Sequence, residues 1–332
     1  MKVLFNTYPM AFHTPGGGEI QLLAYKKYLA QLGVDVHLFD QWNPNFFDFD
    51  LVHFFSCIGG SVHFCRFVKN LGIPLVISSS LWITEKSKHL YPIDEIRDQL
   101  LLADCVITNS DIEGETLARL LNLPRQKFTT IYNGVADEFF NPVSPEIFRT
   151  HFKIYSPFVL NVGNIEPRKN QLTLVRAMKV FPEKKLVLIG HPRDPEYLKK
   201  VISEGGDQIF YIGPIDHENI LLRSAYAACD LFCLPSTLET PGLAALEAAA
   251  VGAPLVITKE GSAKEYFGDQ AEYVDCENVN SIINGIKKCC ISFTNGNNYL
   301  GNSTEEVKKF KWERVIEKIL LVYGNISSYK TL

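Results

Sequence analysis

Two glutamates, Glu239 and Glu247, lie in the segment LETPGLAALEAAAVGAPLVIT, which runs from Leu238 to Thr258. Glu247 sits in a stretch that is otherwise alanine, leucine and valine. Such a stretch has no polar face, so it is expected to be buried, and a buried carboxylate without a partner is costly. Thr240 before Pro241 reads as an N-cap followed by proline at the first helical position. The helix then runs to about Val251, with Gly252 as its stop. Its free N–H groups and positive dipole end suit an anion. Glu247 comes about 9 Å along this helix from Pro241, at the usual rise per residue. One carboxylate reaches one end of an elongated ligand, the other the opposite end, with N–H groups between them. A carboxylate accepts two hydrogen bonds and matches a vicinal diol. A sugar diol, a diphosphate and a ribose diol in line make a nucleotide sugar. The competing reading makes Glu247 a salt-bridged or snorkelling core residue.

A second segment, FVLNVGNIEPRKNQLTLVRAM, places Gly163 and Asn164 at a strand end. Arg168 and Lys169 follow, just before a helix whose apolar face is Leu172, Val175 and Met178. Two adjacent cations need an anionic partner or open water. In one domain with a helix N-terminus they suit a diphosphate. In a third segment, HTPGGGEIQ, Gly16, Gly17 and Gly18 follow the first strand and open the first helix. No glycine completes G-x-G-x-x-G, so the dinucleotide fingerprint fails. The run is either a flexible loop or a backbone that comes close to a ligand. His13 stands just before it. His53, in DLVHFF, is expected to be packed.

The elements that must position these residues alternate from end to end. KVLFN, VDVHLFD, FDLVHFF, IPLVISS and DCVITNS read as strands in the first half, and FVLNVG, KLVLIG, QIFYIG, DLFCLPS and PLVIT in the second. Helical patterns separate them, which implies parallel sheets covered by helices on both faces. Pro142, Pro145 and Pro157 interrupt the alternation and suit a linker. We therefore expect an α/β protein with two doubly wound domains, residues 1–145 and 146–310. STEEVKKFKWERVIEKILLVYG reads as one long amphipathic helix over about 305–325, with Phe310, Val315, Ile316, Ile319 and Leu320 on one stripe. Ligands of open parallel sheets bind beyond the carboxyl ends of the strands, so the chemistry is expected in the loops there. Phe55, Trp82 and Tyr91 are either exposed aromatics of such loops or core.

With 332 residues the chain is long enough for two cores. Its net charge of −4 falls within residues 1–150, and neither half is basic enough for a nucleic-acid binder. The eight cysteines form no CxxC pair and mostly occupy apolar segments, so they read as reduced core residues. No apolar run reaches the length of a membrane span, and MKVLFNTYPM reads as a first strand rather than a signal peptide. A cytoplasmic protein is expected, with peripheral association at the inner membrane face allowed.

Taken together these segments resemble the retaining glycosyltransferases of the GT-B fold, family 4. The family's Glu-x7-Glu segment reads ETPGLAALEAAAVGAPLV here, its glycine and lysine segment reads NVGNIEPRKNQLTLVRAM, and its hinge reads NGVADEFF. GPIDHENILLRSAYAACDLFCLPS and FKWERVIEKILLVY carry further likeness. The match is close over residues 130–325 and patchier before. The resemblance implies two Rossmann-like domains facing across a cleft, with a C-terminal helix crossing back to the first domain. It implies a nucleotide sugar in the second domain, a UDP-sugar and UDP-glucose by first preference, with GDP donors the alternative. Glu247 would hold the ribose, Glu239 the donor sugar, and the amides of Gly242, Leu243 and Ala244 sugar and phosphate. Arg168 and Lys169 would neutralise the departing diphosphate. The base would lie near Ile215 and the loops after Gly163, Asn164 and Gly190. Gly17 and Gly18 would approach the diphosphate from the first domain. No cofactor and no metal are implied, and no DxD-type pair stands in a suitable place. The acceptor would be a saccharide or a lipid-linked oligosaccharide.

Two departures from the family pattern stand out. Thr240-Pro241 replaces the usual Gly-Phe, which removes one N–H. Ser79 and Ser80 stand where the family often has a histidine that contacts the sugar, so by the resemblance either a hydroxyl or His13 would take that role, His13 being otherwise a solvated loop residue. The rival expectations are a catalytically silent nucleotide-sugar binder, a hydrolytic enzyme of the same fold, and a nicotinamide oxidoreductase.

Overall fold

In a computed structural model, which describes residues 1–294 and 303–328, the apolar runs of the first half become parallel strands. These are β1 (Lys2–Thr7), β2 (Asp35–Leu38), β3 (Leu51–Phe55), β4 (Leu75–Ser78), β5 (Cys105–Thr108) and β6 (Phe128–Thr130). They pair in the order β2-β1-β3-β4-β5-β6. The second half gives β7 (Phe158–Val162), β8 (Lys185–Ile189), β9 (Ile209–Gly213), β10 (Leu231–Leu234), β11 (Leu255–Thr258) and β12 (Glu272–Val274). Their order is β12-β11-β10-β7-β8-β9, again parallel throughout. In each sheet the strand order reverses once, at β1/β3 and at β7/β10. Such a switch point opens a crevice at the carboxyl ends of its two strands.

Two compact units result: Met1–Gly134 together with the C-terminal segment from Trp312, and Val135–Lys311. The division at Gly134 comes earlier than the proline-rich stretch suggested. The helix Pro145–Phe152 is not a linker element but packs in the second unit, where Phe148 is fully buried and its N–H donates to Ser224 Oγ at 2.9 Å. Gly134 itself has a steric reason: a Cβ there would come within 2.3 Å of the Trp312 indole. Trp312 fills that space and meets Tyr25 edge-on with centroids 5.7 Å apart.

The expected single C-terminal helix is broken. Residues Ser303–Val307 are helical, Lys308–Phe310 form a tighter turn, and a second helix runs Trp312–Ser328. Lys311 between them is extended, with φ −58° and ψ 137°. The apolar stripe hides the break because its two parts serve different cores. Phe310 packs on Tyr266 in the second unit, while Val315, Ile316 and Ile319 are buried in the first.

His53 in β3 is packed, as its strand context implied. Its ring is fully buried, stacked on Phe55 at 4.1 Å, with Nδ1 2.5 Å from the Tyr323 hydroxyl and Nε2 2.8 Å from Ser78 Oγ. This ties the Trp312–Ser328 helix to the first sheet. Burial pushes the imidazole pKa down to about 3. The unfolded chain therefore binds a proton that the folded chain refuses between pH 6.5 and 3. Stability from this group is complete above pH 6.5 and is lost as pH falls, by up to roughly 4–5 kcal/mol at the acid end. Thermal scans over pH 3–8 should show that acid-side loss in the wild type, and His53→Phe should flatten it while lowering the plateau.

Phe55 is buried in the core, Tyr91 is half-buried and packs against the first unit's core, and Trp82 is half-buried. The cysteines are all free thiols, six of them buried. Among the described residues no helix is long and apolar enough to cross a membrane.

Candidate functional site

The carboxyl ends of β7 and β10, at the switch point of the second sheet, bring Lys169 and Glu239 together. After β7 the chain passes Gly163 at φ 152° and the buried Asn164. It then makes a single tight turn, Pro167–Lys169, before the helix Gln171–Met178. Asn170 adopts the left-handed conformation at φ 59° and pins the turn. Its amide nitrogen donates to the carbonyls of Pro235 and Cys276 at 3.0 and 2.8 Å. The Thr237 N–H donates to the Arg168 carbonyl at 2.8 Å. The two cations are thus fixed to the end of β10 by backbone bonds.

Glu239 is held equally firmly. Its N–H donates to the Glu260 carbonyl at 3.1 Å, and its own carbonyl accepts from Ser262 N–H at 3.0 Å. Gly261, at φ 109°, permits this approach, since a Cβ there would lie 1.9 Å from the Glu239 carbonyl oxygen. The Glu239 side chain is buried, and Lys169 Nζ donates to its Oε1 at 2.5 Å. Arg168 Nη1 stands 4.0 Å from the same oxygen. Burial opposes ionisation of Glu239, but the Lys169 and Arg168 charges outweigh it and hold the carboxyl below its usual range. Burial lowers the Lys169 pKa in turn. A lysine so placed holds its charge through its carboxylate partner.

The helix at this site starts later than the Thr-Pro signal implied. Thr240-Pro241 is a cis peptide, Gly242 has φ 86°, and the helix spans Leu243–Val251 with Gly242 as its N-cap. Gly242 departs from helical torsions, so the first turn cannot begin at Pro241. A Cβ at Gly242 would sit 3.0 Å from Glu239 Oε2. That close approach puts the carboxylate at the helix tip. The first amides, Leu243 and Ala244 foremost, have no acceptor inside the helix and face the positive dipole end outward. Glu247 now lies four residues on, about 6 Å along the helix, not the 9 Å expected.

Glu247 is 5% exposed and has two partners that sequence reasoning missed. Tyr226 donates its hydroxyl to Oε2 at 2.7 Å, and His217 Nε2 lies 2.7 Å from Oε1. His217 comes from the loop after β9 that also carries the half-buried Ile215. These bonds stabilise the carboxylate in an otherwise apolar helix. They occupy two of its roughly four acceptor positions, leaving two for a diol. A buried glutamate in an alanine-rich helix was itself the signal that such partners had to exist, although not where. Burial pulls the His217 pKa down, but the Glu247 carboxylate prevails and raises it above 6.5. A raised folded pKa means that this pair contributes fully below pH 6.5 and fades as pH rises through the folded value. His217→Gln should abolish that alkaline-side decline in a pH series of thermal scans, with the wild type showing it.

Other expected residues fall in the first unit. Gly17 and Gly18 open the helix Gly17–Gln31 and are exposed. Nothing lies within 4 Å of a Cβ placed on Gly18, so the fold itself does not require glycine there. The Gly16 N–H is capped by Glu19 Oε2 at 2.7 Å. His13 is exposed at the end of a short turn, Ala11–His13. Ser79, by contrast, is buried and donates to the fully buried Glu113 at 2.6 Å. Among the described residues no group of three or more histidine, cysteine, aspartate or glutamate side chains is gathered as a metal site.

Comparison with known proteins sets the chain beside glycosyltransferases. The family described as "Glycosyl transferases group 1" matches residues 145–292, and "Glycosyltransferase Family 4" matches residues 40–139. A D-inositol 3-phosphate glycosyltransferase of Mycolicibacterium smegmatis is 25% identical over 300 residues, 84% of this chain and 68% of that protein. The O-antigen chain mannosyltransferase B of Escherichia coli is 25% identical over 72% of this chain and 65% of its own length. Among solved structures, sucrose-phosphate synthase from Thermosynechococcus elongatus superposes with a TM-score of 0.83 at 20% identity, covering 99% of both chains. Anabaena Alr3699/HepE in complex with UDP-glucose gives 0.80 at 19% identity over 98% of this chain and all of that one.

Proposed function

From the premise that the chain belongs to the group 1, family 4 glycosyltransferases of the GT-B fold, we propose that it transfers a hexose from a UDP-sugar, UDP-glucose foremost, with retention of anomeric configuration and without a metal. The acceptor is a saccharide or a lipid-linked oligosaccharide. The observation that carries this reading is the Lys169–Glu239 pair at the tip of the Leu243–Val251 helix. Breaking the anomeric C–O bond builds negative charge on the β-phosphate and positive charge on the sugar ring. Lys169, Arg168 and the amides of Leu243 and Ala244 stand where they can receive the first charge, already fixed before reaction. In this reading Glu239, kept ionised by Lys169, accepts hydroxyls of the donor sugar. Glu247 in the same reading accepts the ribose diol, which its two partners, one on each oxygen, leave room for.

In this account the cations and the helix end perform the charge neutralisation that a divalent ion performs elsewhere. Retention follows if the acceptor attacks on the face from which the diphosphate leaves, with the departing phosphate taking the acceptor proton. UDP-glucose bound to the crystallised relative supports the choice of donor. A thermal-shift screen of UDP-, GDP- and ADP-sugars in the presence of EDTA tests it. A donor at a hundredfold excess over its Kd stabilises by about 2.7 kcal/mol. UDP-glucose is expected to give the largest shift, and a larger shift with a GDP-sugar would reassign the nucleotide.

A further inference from the structure

One carboxylate, Glu166, joins Arg168 to a third cation, Arg193. Arg168 donates from Nε and Nη2 to Glu166 Oε1 at 3.2 and 2.9 Å. Arg193 Nη1 donates to the other oxygen, Oε2, at 3.3 Å. The charges then alternate along one edge: Arg193, Glu166, Arg168, Glu239, Lys169. Arg193 and Arg168 thus share one carboxylate, Glu166, and Arg168 and Lys169 flank the other, Glu239.

The backbone around Arg193 is not that of an ordinary surface loop. The Gly163 N–H donates to the Ile189 carbonyl at 2.9 Å, Ile165 N–H to the His191 carbonyl at 2.8 Å, and Asp194 N–H to the Ile165 carbonyl at 3.1 Å. Gly190 lies so close that a Cβ on it would come within 2.0 Å of the Gly163 carbonyl oxygen. The loops after β7 and β8 are therefore laced into one rigid edge, and Arg193 is carried on it beside Arg168. An exposed ion pair contributes about 0–1 kcal/mol to stability, which gives no reason to gather two arginines on one nearly buried carboxylate at a switch point. Two guanidiniums with a fixed spacing match the several oxygens of a diphosphate better than one.

We propose that Arg193 is a third cation of the phosphate subsite and that Glu166 is a positioning residue that holds Arg193 and Arg168 side by side for it. The inference rests on the reading of this site as a nucleotide-diphosphate site. It separates phosphate from base: the loop after Gly190 serves the diphosphate rather than the uracil.

Calorimetry with UDP and with uridine as probes tests both parts. Arg193→Ala should weaken UDP about tenfold and leave uridine binding unchanged. Equal losses for the two probes, or an unchanged UDP affinity, would overturn the assignment of Arg193. Glu166→Ala removes a negative charge near the phosphates, so a purely electrostatic effect would tighten UDP binding. A positioning role predicts the opposite, a loss of about threefold to tenfold, partly restored in Glu166→Gln, which keeps the shape and one acceptor oxygen. Tighter binding in Glu166→Ala would remove the positioning role. Thermal scans on each variant identify any that unfold, and Arg193→Lys, which keeps the charge, then carries the comparison. Failure of the wild type to bind UDP at all would remove the functional reading and this inference together. Normal wild-type binding with an indifferent Arg193→Ala removes this inference alone.

Discussion

Lys169→Ala is expected to lower the rate of UDP release from UDP-glucose by about 10²–10³-fold, the loss typical of removing one preorganised charge-stabilising donor. The argument rests on where the ammonium sits: 2.5 Å from Glu239 and beside the helix tip. Substrate binding shares the cation with Arg168 and the helix amides, so the change in KM should be smaller than the change in kcat. Removing the lysine also leaves Glu239 buried beside only the more distant Arg168, which costs about 3–5 kcal/mol when a buried pair is broken on one side. A thermal scan must therefore accompany the kinetics. Lys169→Arg keeps the charge and is expected to remain folded with reduced rate, because a planar guanidinium cannot reproduce a point charge at that distance. Full activity in the folded Lys169→Ala variant would remove the lysine from the mechanism.

The second large effect is expected at Glu247. Glu247→Ala should weaken UDP about a hundredfold, some 2.7 kcal/mol, which two charge-assisted hydrogen bonds to a diol would supply. The same change strands the Tyr226 hydroxyl and His217, so loss of affinity alone does not distinguish recognition from damage. Comparing UDP with 2′-deoxy-UDP does. The wild type should lose affinity for the deoxy compound, and Glu247→Ala should bind the two nearly alike. If both proteins discriminate equally, Glu247 does not touch the 2′ hydroxyl and is a structural residue tied to Tyr226 and His217.

Much of this architecture is legible from the residues alone. The LVLI of β8 and the LFCL of β10 are short, buried apolar runs that end where a glycine or proline turns the chain, and their alternation with helices points to a parallel sheet. The last strand of each sheet is not legible: FTT and EYV are three residues long and too short for any periodicity to register. The C-terminal helix was overextended because amphipathic spacing continues across Lys311 although the backbone does not. The proline at 241 misled in the opposite direction. Proline fits a first helical turn, yet the torsions of Gly242 postpone the helix by two residues.

The site follows the same division. Lys169, Glu239 and Glu247 announce themselves through residue type and spacing, because a charge in an apolar or glycine-bounded context demands a reason. Glu166, Arg193, His217 and Tyr226 do not. Each is an ordinary polar or aromatic residue in its own segment and acquires meaning only when strands distant in sequence are set side by side. Asn170 and Gly261 are hidden for another reason: their task is to fix backbone, and only the folded geometry shows which carbonyl each approaches.

The central claim is that a diphosphate lodges at the tip of the Leu243–Val251 helix against Lys169 and Arg168. A crystal structure of the protein soaked with UDP tests it most directly. The account predicts phosphate oxygens within about 3 Å of Lys169 Nζ and of the amides of Leu243 or Ala244, with the ribose on Glu247. UDP bound elsewhere in the second unit, or a helix tip still vacant at saturating UDP, would contradict it.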